Sequence, residues 1–229
     1  MFVGHYGVSF AASRADRRLP LWLTFLAVQW VDILWGVFVL LGVEKVRIVP
    51  GITASSPLDL YYMPYTHGLI TSLAWSALVA LAYGLLARPA GQWRSAALLG
   101  AAVFSHWILD LIVHRPDLPL WGDRAKVGLG LWNHPVPAFL LEAAILVGGI
   151  ALYWRALPGR GRRIALAVFG LVMLLIQASI FVGAGPRSDR QVAISALVLY
   201  ATFAWAAFRI AGGARSAGVD AAPQPDAPA

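Results

Sequence analysis

No cysteine occurs anywhere in the 229-residue chain. Disulfides, thiolate metal sites and cysteine nucleophiles are therefore excluded. Charge is scarce as well, at 13% of residues, where a soluble domain would carry roughly a quarter. No phosphate-cradling glycine loop, Gly-x-Ser-x-Gly elbow or His-Glu-x-x-His pair is found in the sequence, so those mechanisms have no support. Histidine is rare, with five residues: His5, His67, His106, His114 and His134.

The chain is instead rich in apolar residues, 59% of the total, with a mean hydropathy of +0.70. They come in long runs, and a helix needs about 20 mostly apolar residues to cross the hydrocarbon. Candidate spans cover roughly 20–42, 66–87, 94–114, 135–155, 163–184 and 191–210. The expected fold is all-α, a polytopic membrane bundle of about six transmembrane helices. It forms a single domain over residues 1–210, and residues 211–229, rich in Ala, Pro and Gly, read as a disordered cytoplasmic tail.

The net charge of +7 does not point to nucleic acid, because the arginines sit at the ends of apolar runs rather than in a stripe. Arg14, Arg17 and Arg18 follow the first apolar stretch, unlike the basic start of a cleavable signal. In a six-span topology, 11 Lys and Arg residues fall on the side of the termini and 7 on the other. The positive-inside rule then puts both termini in the cytoplasm of a plasma (inner) membrane. The loops 43–65 and 115–134 lie on the far side, either folded over the bundle's outer mouth or as plain connections.

Charged residues within spans are costly, about 2.5–3.5 kcal/mol at a helix centre, and mark function by default. Asp32, Asp110 and Glu142 are the cases here. In Ser105-His106-Trp107-Ile108-Leu109-Asp110, continuing to His114, spacings of four align His106, Asp110 and His114 on one helical stripe. Such a stripe suits metal binding or a helix–helix hydrogen bond. If residues 2–13 form a half-helix pointing into the bundle, His5 stands roughly 14 Å above the basic turn at residues 14–18, and Asp32 and His106 reach roughly 18 Å. His5, Asp32 and His106 would then meet in mid-membrane, with Asp110 one turn farther out. The rival arrangement lays residues 2–13 flat as an amphipathic anchor.

His67 opens the second span at its outer end, as a site member or an interfacial histidine. Glu142 and Gln177 bond between helices or line a cavity, His134 belongs to a loop or helix start, and Asp59 and Asp117 are expected to be solvated. Imidazoles and carboxylates without thiolate suit a divalent metal: zinc first, manganese or iron as alternatives. Asp32, His106, Asp110 and His114 are the candidate catalytic residues, and His5, Asp32, His67, His106 and Asp110 the candidate metal ligands.

The order of Gly4-His5, Val31-Asp32, Thr66-His67 and Ser105-His106 with Asp110 resembles the bacterial inner-membrane metal-dependent hydrolases, a family regulated in part by the DNA-damage response. The likeness covers roughly residues 4–121. It implies a metal-dependent hydrolase site formed by His5, Asp32, His67, His106 and Asp110. The family's Pro-Asp-x-Asp-His reads Gln29-Trp30-Val31-Asp32-Ile33 here, so an Asp and a His are replaced by Trp30 and Ile33. Its His-Arg-x-x-Thr-His-Ser looks like Tyr62-Met63-Pro64-Tyr65-Thr66-His67-Gly68, without the first His and the final Ser. These departures fit a divergent subgroup with fewer metals, with His114 as an added proton shuttle, or a scaffold that lost the reaction. A site opening outward suggests a lipid-like ester or phosphoester substrate. The alternatives are a small proton- or metal-coupled transporter and a structural membrane protein. Membrane lipids are the expected partners, nucleic acid is not, and the oligomeric state is left open.

Overall fold

The computed structural model describes residues 1–87, 91–183 and 185–212. Among these residues eight α-helices carry the fold: α1 (Val3–Ala15), α2 (Leu21–Val28), α3 (Trp30–Leu40), α4 (Leu69–Leu86), α5 (Trp93–Val113), α6 (Pro135–Trp154), α7 (Arg160–Val182) and α8 (Asp189–Ala211). Five of them, α4 to α8, are long and apolar enough to cross a membrane. α2 and α3 pass the same test only together, as one span bent by 55° at Gln29. This all-α bundle is compatible with a multi-pass membrane protein. The tail expected from residue 211 lies outside the described residues, apart from Ala211 and Gly212.

Helix ends follow local chemistry. Pro20 precedes α2 and Pro135 is the first residue of α6, where the N–H that proline lacks has no helical partner. Ser188 caps α8 by accepting from the Gln191 N–H at 3.1 Å. Gly212 ends the same helix at φ 91°, a left-handed conformation open to glycine.

The residues expected to form a half-helix do so. α1 is buried along most of its length and runs within the bundle rather than flat on its surface. Its free N-terminal amides are satisfied by Glu142 of α6, whose Oε2 accepts from the Phe2 N–H at 2.7 Å and the Gly4 N–H at 3.2 Å. A carboxylate is well placed there, against the positive end of the helix dipole.

Two short antiparallel strands, β1 (Lys45–Ile48) and β2 (Leu58–Tyr62), form a hairpin with Arg47 opposite Asp59. Val46, Leu60, Met63 and Leu118 pack with Trp35, Val39 and Val192 in one apolar cluster. Both long loops therefore fold over the bundle's end. At the other end lies a cluster holding Tyr6, Phe10, Phe25, Phe169 and Phe203. Leu78, Leu85, Leu152, Leu171, Leu175 and Val198 are more than half exposed, as lipid-facing residues would be.

Candidate functional site

Between these two clusters sit four histidines and two aspartates. His5 Nε2 lies 3.2 Å from Asp110 Oδ1. His106 Nε2 is 3.0 Å from Asp110 Oδ2 and 3.5 Å from Asp32 Oδ1. His67 Nε2 is 3.2 Å from Asp32 Oδ1 and 3.7 Å from Asp110 Oδ2. His114 Nε2 is 3.6 Å from Asp110 Oδ2. The Met1 amino group contacts Asp110 Oδ1. All the residues named as candidate ligands or catalytic groups are thus gathered in one cluster, and all the histidines in it are buried. His134 is apart and exposed, consistent with its place at a helix start.

Two positions differ from expectation. α5 ends at Val113, and His114 has left the helix with extended backbone (φ −63°, ψ 145°); its ring nevertheless turns back toward Asp110. His67, expected to open the second span, precedes it: residues 64–68 form a turn and bend before α4 begins at Leu69, and its ring lies 3.7 Å from Asp110.

The outer nitrogens of three rings decide what the inner ones can do. His106 Nδ1 is 2.7 Å from the Val28 carbonyl, which can only accept, so Nδ1 carries the proton. His114 Nδ1 is 2.9 Å from Asp117 Oδ1, again an acceptor. His67 Nδ1 is 2.8 Å from Thr66 Oγ1, whose own hydroxyl donates to Glu44 Oε2 at 2.6 Å. That leaves Thr66 Oγ1 as acceptor from the ring. These tautomers are assigned from the partners. Each ring therefore presents Nε2 to the aspartates, as a lone pair if the ring is neutral.

A bare lone pair facing a carboxylate oxygen is repulsive. The distances are ion-pair distances, yet His106 Nε2 and both nitrogens of His5 are buried without a hydrogen bond. Charged imidazolium rings or a cation between donors would relieve the conflict. Donors 2.0–2.2 Å from one cation stand about 2.8–3.6 Å apart for octahedral or tetrahedral geometry. The N···O separations here run from 3.0 to 3.7 Å. Two three-residue groups have ligand atoms close enough to share an ion: His5, His106 and Asp110, and Asp32, His67 and His106.

Several contributors carried no sequence signal. Tyr200 of α8 donates to Asp32 Oδ2 at 2.7 Å. Glu44 is buried beside the hairpin and also accepts at Oε1 from the N–H groups of Tyr65 (2.8 Å) and Thr66 (3.0 Å). Burial pushes the Glu44 carboxyl above its ordinary range, opposed by the Thr66 hydroxyl and those two amides. Asp59 and Asp117, expected to be solvated, are 4% and 3% exposed. Arg115 bridges them, meeting Asp59 Oδ1 and lying 3.3 Å from Asp117 Oδ2, so their charges are paired rather than hydrated. The folded loops enclose them.

A cavity of about 380 Å³ leads from Asp32, His67, Asp110 and His114 outward along α7 and α8. Glu142 and Gln177 both line it. No family model matches the chain, and no curated protein or solved structure does either.

Proposed function

We propose that the chain is a membrane-embedded hydrolase that depends on a divalent metal and acts on a lipid-like ester or phosphoester. The observation that carries this reading is that His67 and His106 are each tied through Nδ1 and turn Nε2 toward both Asp32 and Asp110, with His114, tied in the same way, beside Asp110. Outer hydrogen bonds of this kind orient metal-ligating histidines and raise their basicity. The donors suit zinc, with manganese or iron as alternatives. His5, Asp32, His67, His106 and Asp110 are the ligand set. Charge asymmetry supports an orientation with both termini in the cytoplasm of the inner membrane and the hairpin outside.

Bound there, a divalent cation would lower the pKa of a water to about 7 and polarise the substrate oxygen. Tyr200 fixes the orientation of Asp32, and Asp117 that of His114. In hydrolysis the water oxygen bonds to the acyl carbon or phosphorus and the ester bond to the leaving oxygen breaks. His114, at the cavity's inner end, takes one water proton and returns it to the leaving alkoxide. The second water proton ionises with the acid product. The buried rings of Tyr6, Phe10, Phe25, Phe169 and Phe203 close the bundle on the α1–α2 side, which supports a one-sided reaction site over a transport path.

The test is elemental mass spectrometry of purified wild type and a His106→Ala, Asp110→Ala double variant. About one zinc, manganese or iron per chain is expected in the wild type and none in the variant. A folded wild type that holds no metal and binds none on re-addition would sink the proposal. Glu44→Gln, which weakens the chain from Glu44 through Thr66 to His67, is expected to lower metal affinity about 10–100-fold, the usual cost of losing such an outer partner. Unchanged affinity in competition with a metallochromic chelator would remove Glu44 from the site.

A further inference from the structure

We propose, resting on the hydrolase reading, that the substrate is a membrane amphiphile that enters sideways between α7 and α8, its head bearing hydroxyl or ammonium donors received by Gln177 and Ser55. The cavity's inner end is polar, but its walls are Ile176, Ile180 and Phe181 of α7 with Val192 and Leu199 of α8. Its volume, about 380 Å³, lies near the lower end of the range for small-molecule sites. It accommodates a head and the first part of a chain, not a whole lipid.

The cavity reaches the membrane-facing surface. Ile180, one of its walls, is 49% exposed, and Ser195, another, is exposed as well. They lie roughly 3 and 9 Å from the hairpin-side ends of their helices, within the depth of one leaflet. A chain can therefore remain in lipid while the ester reaches the aspartates.

The head is read from two unpaired oxygens, an amide oxygen that can only accept and a hydroxyl that can do so. Gln177 Oε1, on a residue 2% exposed, and Ser55 Oγ, on a residue 6% exposed, line the cavity without any hydrogen-bond partner. Buried polar atoms are rarely left so, and an amide oxygen can be satisfied only by a donor. Among the described residues no Lys or Arg lines the cavity, while Asp32, Asp110 and Glu142 do. At the Gln177 and Ser55 part of the cavity, away from the ligand set, a terminal phosphate or carboxylate would find no Lys or Arg side chain, whereas a hydroxyl or ammonium donor meets an unpaired oxygen.

The experiment uses the full, metal-loaded chain in vesicles of phosphatidylethanolamine containing a trace of the same lipid with a diazirine close to its ester. Photolysis is expected to label Leu60 and Val192, which border the cavity and are at least nine-tenths covered. An Ile180→Trp, Leu199→Trp double variant, checked for retained metal, should lose that labelling about tenfold or more. A phosphatidic acid probe should label these positions at least tenfold less, and Gln177→Leu should erase most of that preference. Labelling confined to outward residues such as Leu175 and Val198, or a preference for phosphatidic acid, overturns the proposal. Turnover of p-nitrophenyl butyrate or bis(p-nitrophenyl) phosphate without cavity labelling would overturn it while leaving the hydrolase intact. Cavity labelling without turnover of any ester would keep the amphiphile site and sink the hydrolase reading.

Discussion

Asp110→Asn is expected to melt, after exposure to metal, at the temperature of chelator-treated wild type, and chelation of the variant should change nothing further. Asp110 faces Nε2 of His5, His67, His106 and His114 within 3.0 to 3.7 Å. If a cation sits among these donors, losing the carboxylate and removing the ion abolish the same interactions. The two perturbations then fail to add. If the rings are instead imidazolium ions held by the aspartates, a chelator does nothing to the wild type. In that case Asp110→Asn leaves buried positive charge unpaired and costs about 3–5 kcal/mol by itself. Melting curves for the four combinations of variant and chelator separate the cases. Asp59→Asn serves as the comparison. It breaks the pairing of the buried Asp59 carboxylate with the partly exposed Arg47 and Arg115 outside the ligand set, so its loss of stability should add to that of chelation.

How much of this was visible in the sequence varies residue by residue. His106 and Asp110 were legible because their spacing fixes a shared helical face whatever surrounds them. The level of His5 and Asp32 follows from residue rise and the position of the basic turn if residues 2–13 form a half-helix. The break at Gln29 was not legible, for no proline or glycine adjoins it. It coincides with His106 Nδ1 reaching the Val28 carbonyl, a group inserted at the helix ladder from another element. Glu44, an acid in a turn, and Tyr200, one ring in an apolar span, acquire their roles only through tertiary contact. The same is true of Asp59 and Asp117, buried because two loops fold over them. Residues beyond 121, where the sequence offers no motif, supply Glu142, Gln177 and the α7 and α8 walls of the cavity. Their contribution is shape and unpaired polarity, which short motifs do not record.

The seat of α1 yields the sharpest contrast between neighbouring positions. A Cβ on Gly149 of α6 would collide with the backbone of Gly7, and one on Gly7 would collide with the backbone at Ile145. Neither obstacle is a side chain that can rotate away, so close approach of the two backbones depends on both glycines, a common device between membrane helices. Gly148, the next residue, has nothing within 4 Å of its Cβ position and is exposed. Gly149→Leu should therefore drive α1 from its seat, and overpacking of this kind typically costs about 1–3 kcal/mol. His5 lies two residues from Gly7, so the same shift should carry its ring away from Asp110 and lower metal affinity. Gly148→Leu should leave both melting temperature and bound metal unchanged, or raise stability slightly through helix propensity. Equal effects of the two substitutions would mean that α1 does not pack into the bundle, and His5 would then leave the ligand set. A loss of stability with metal fully retained in Gly149→Leu would keep α1 in place as scaffold, and assign the metal to Asp32, His67, His106 and Asp110 alone.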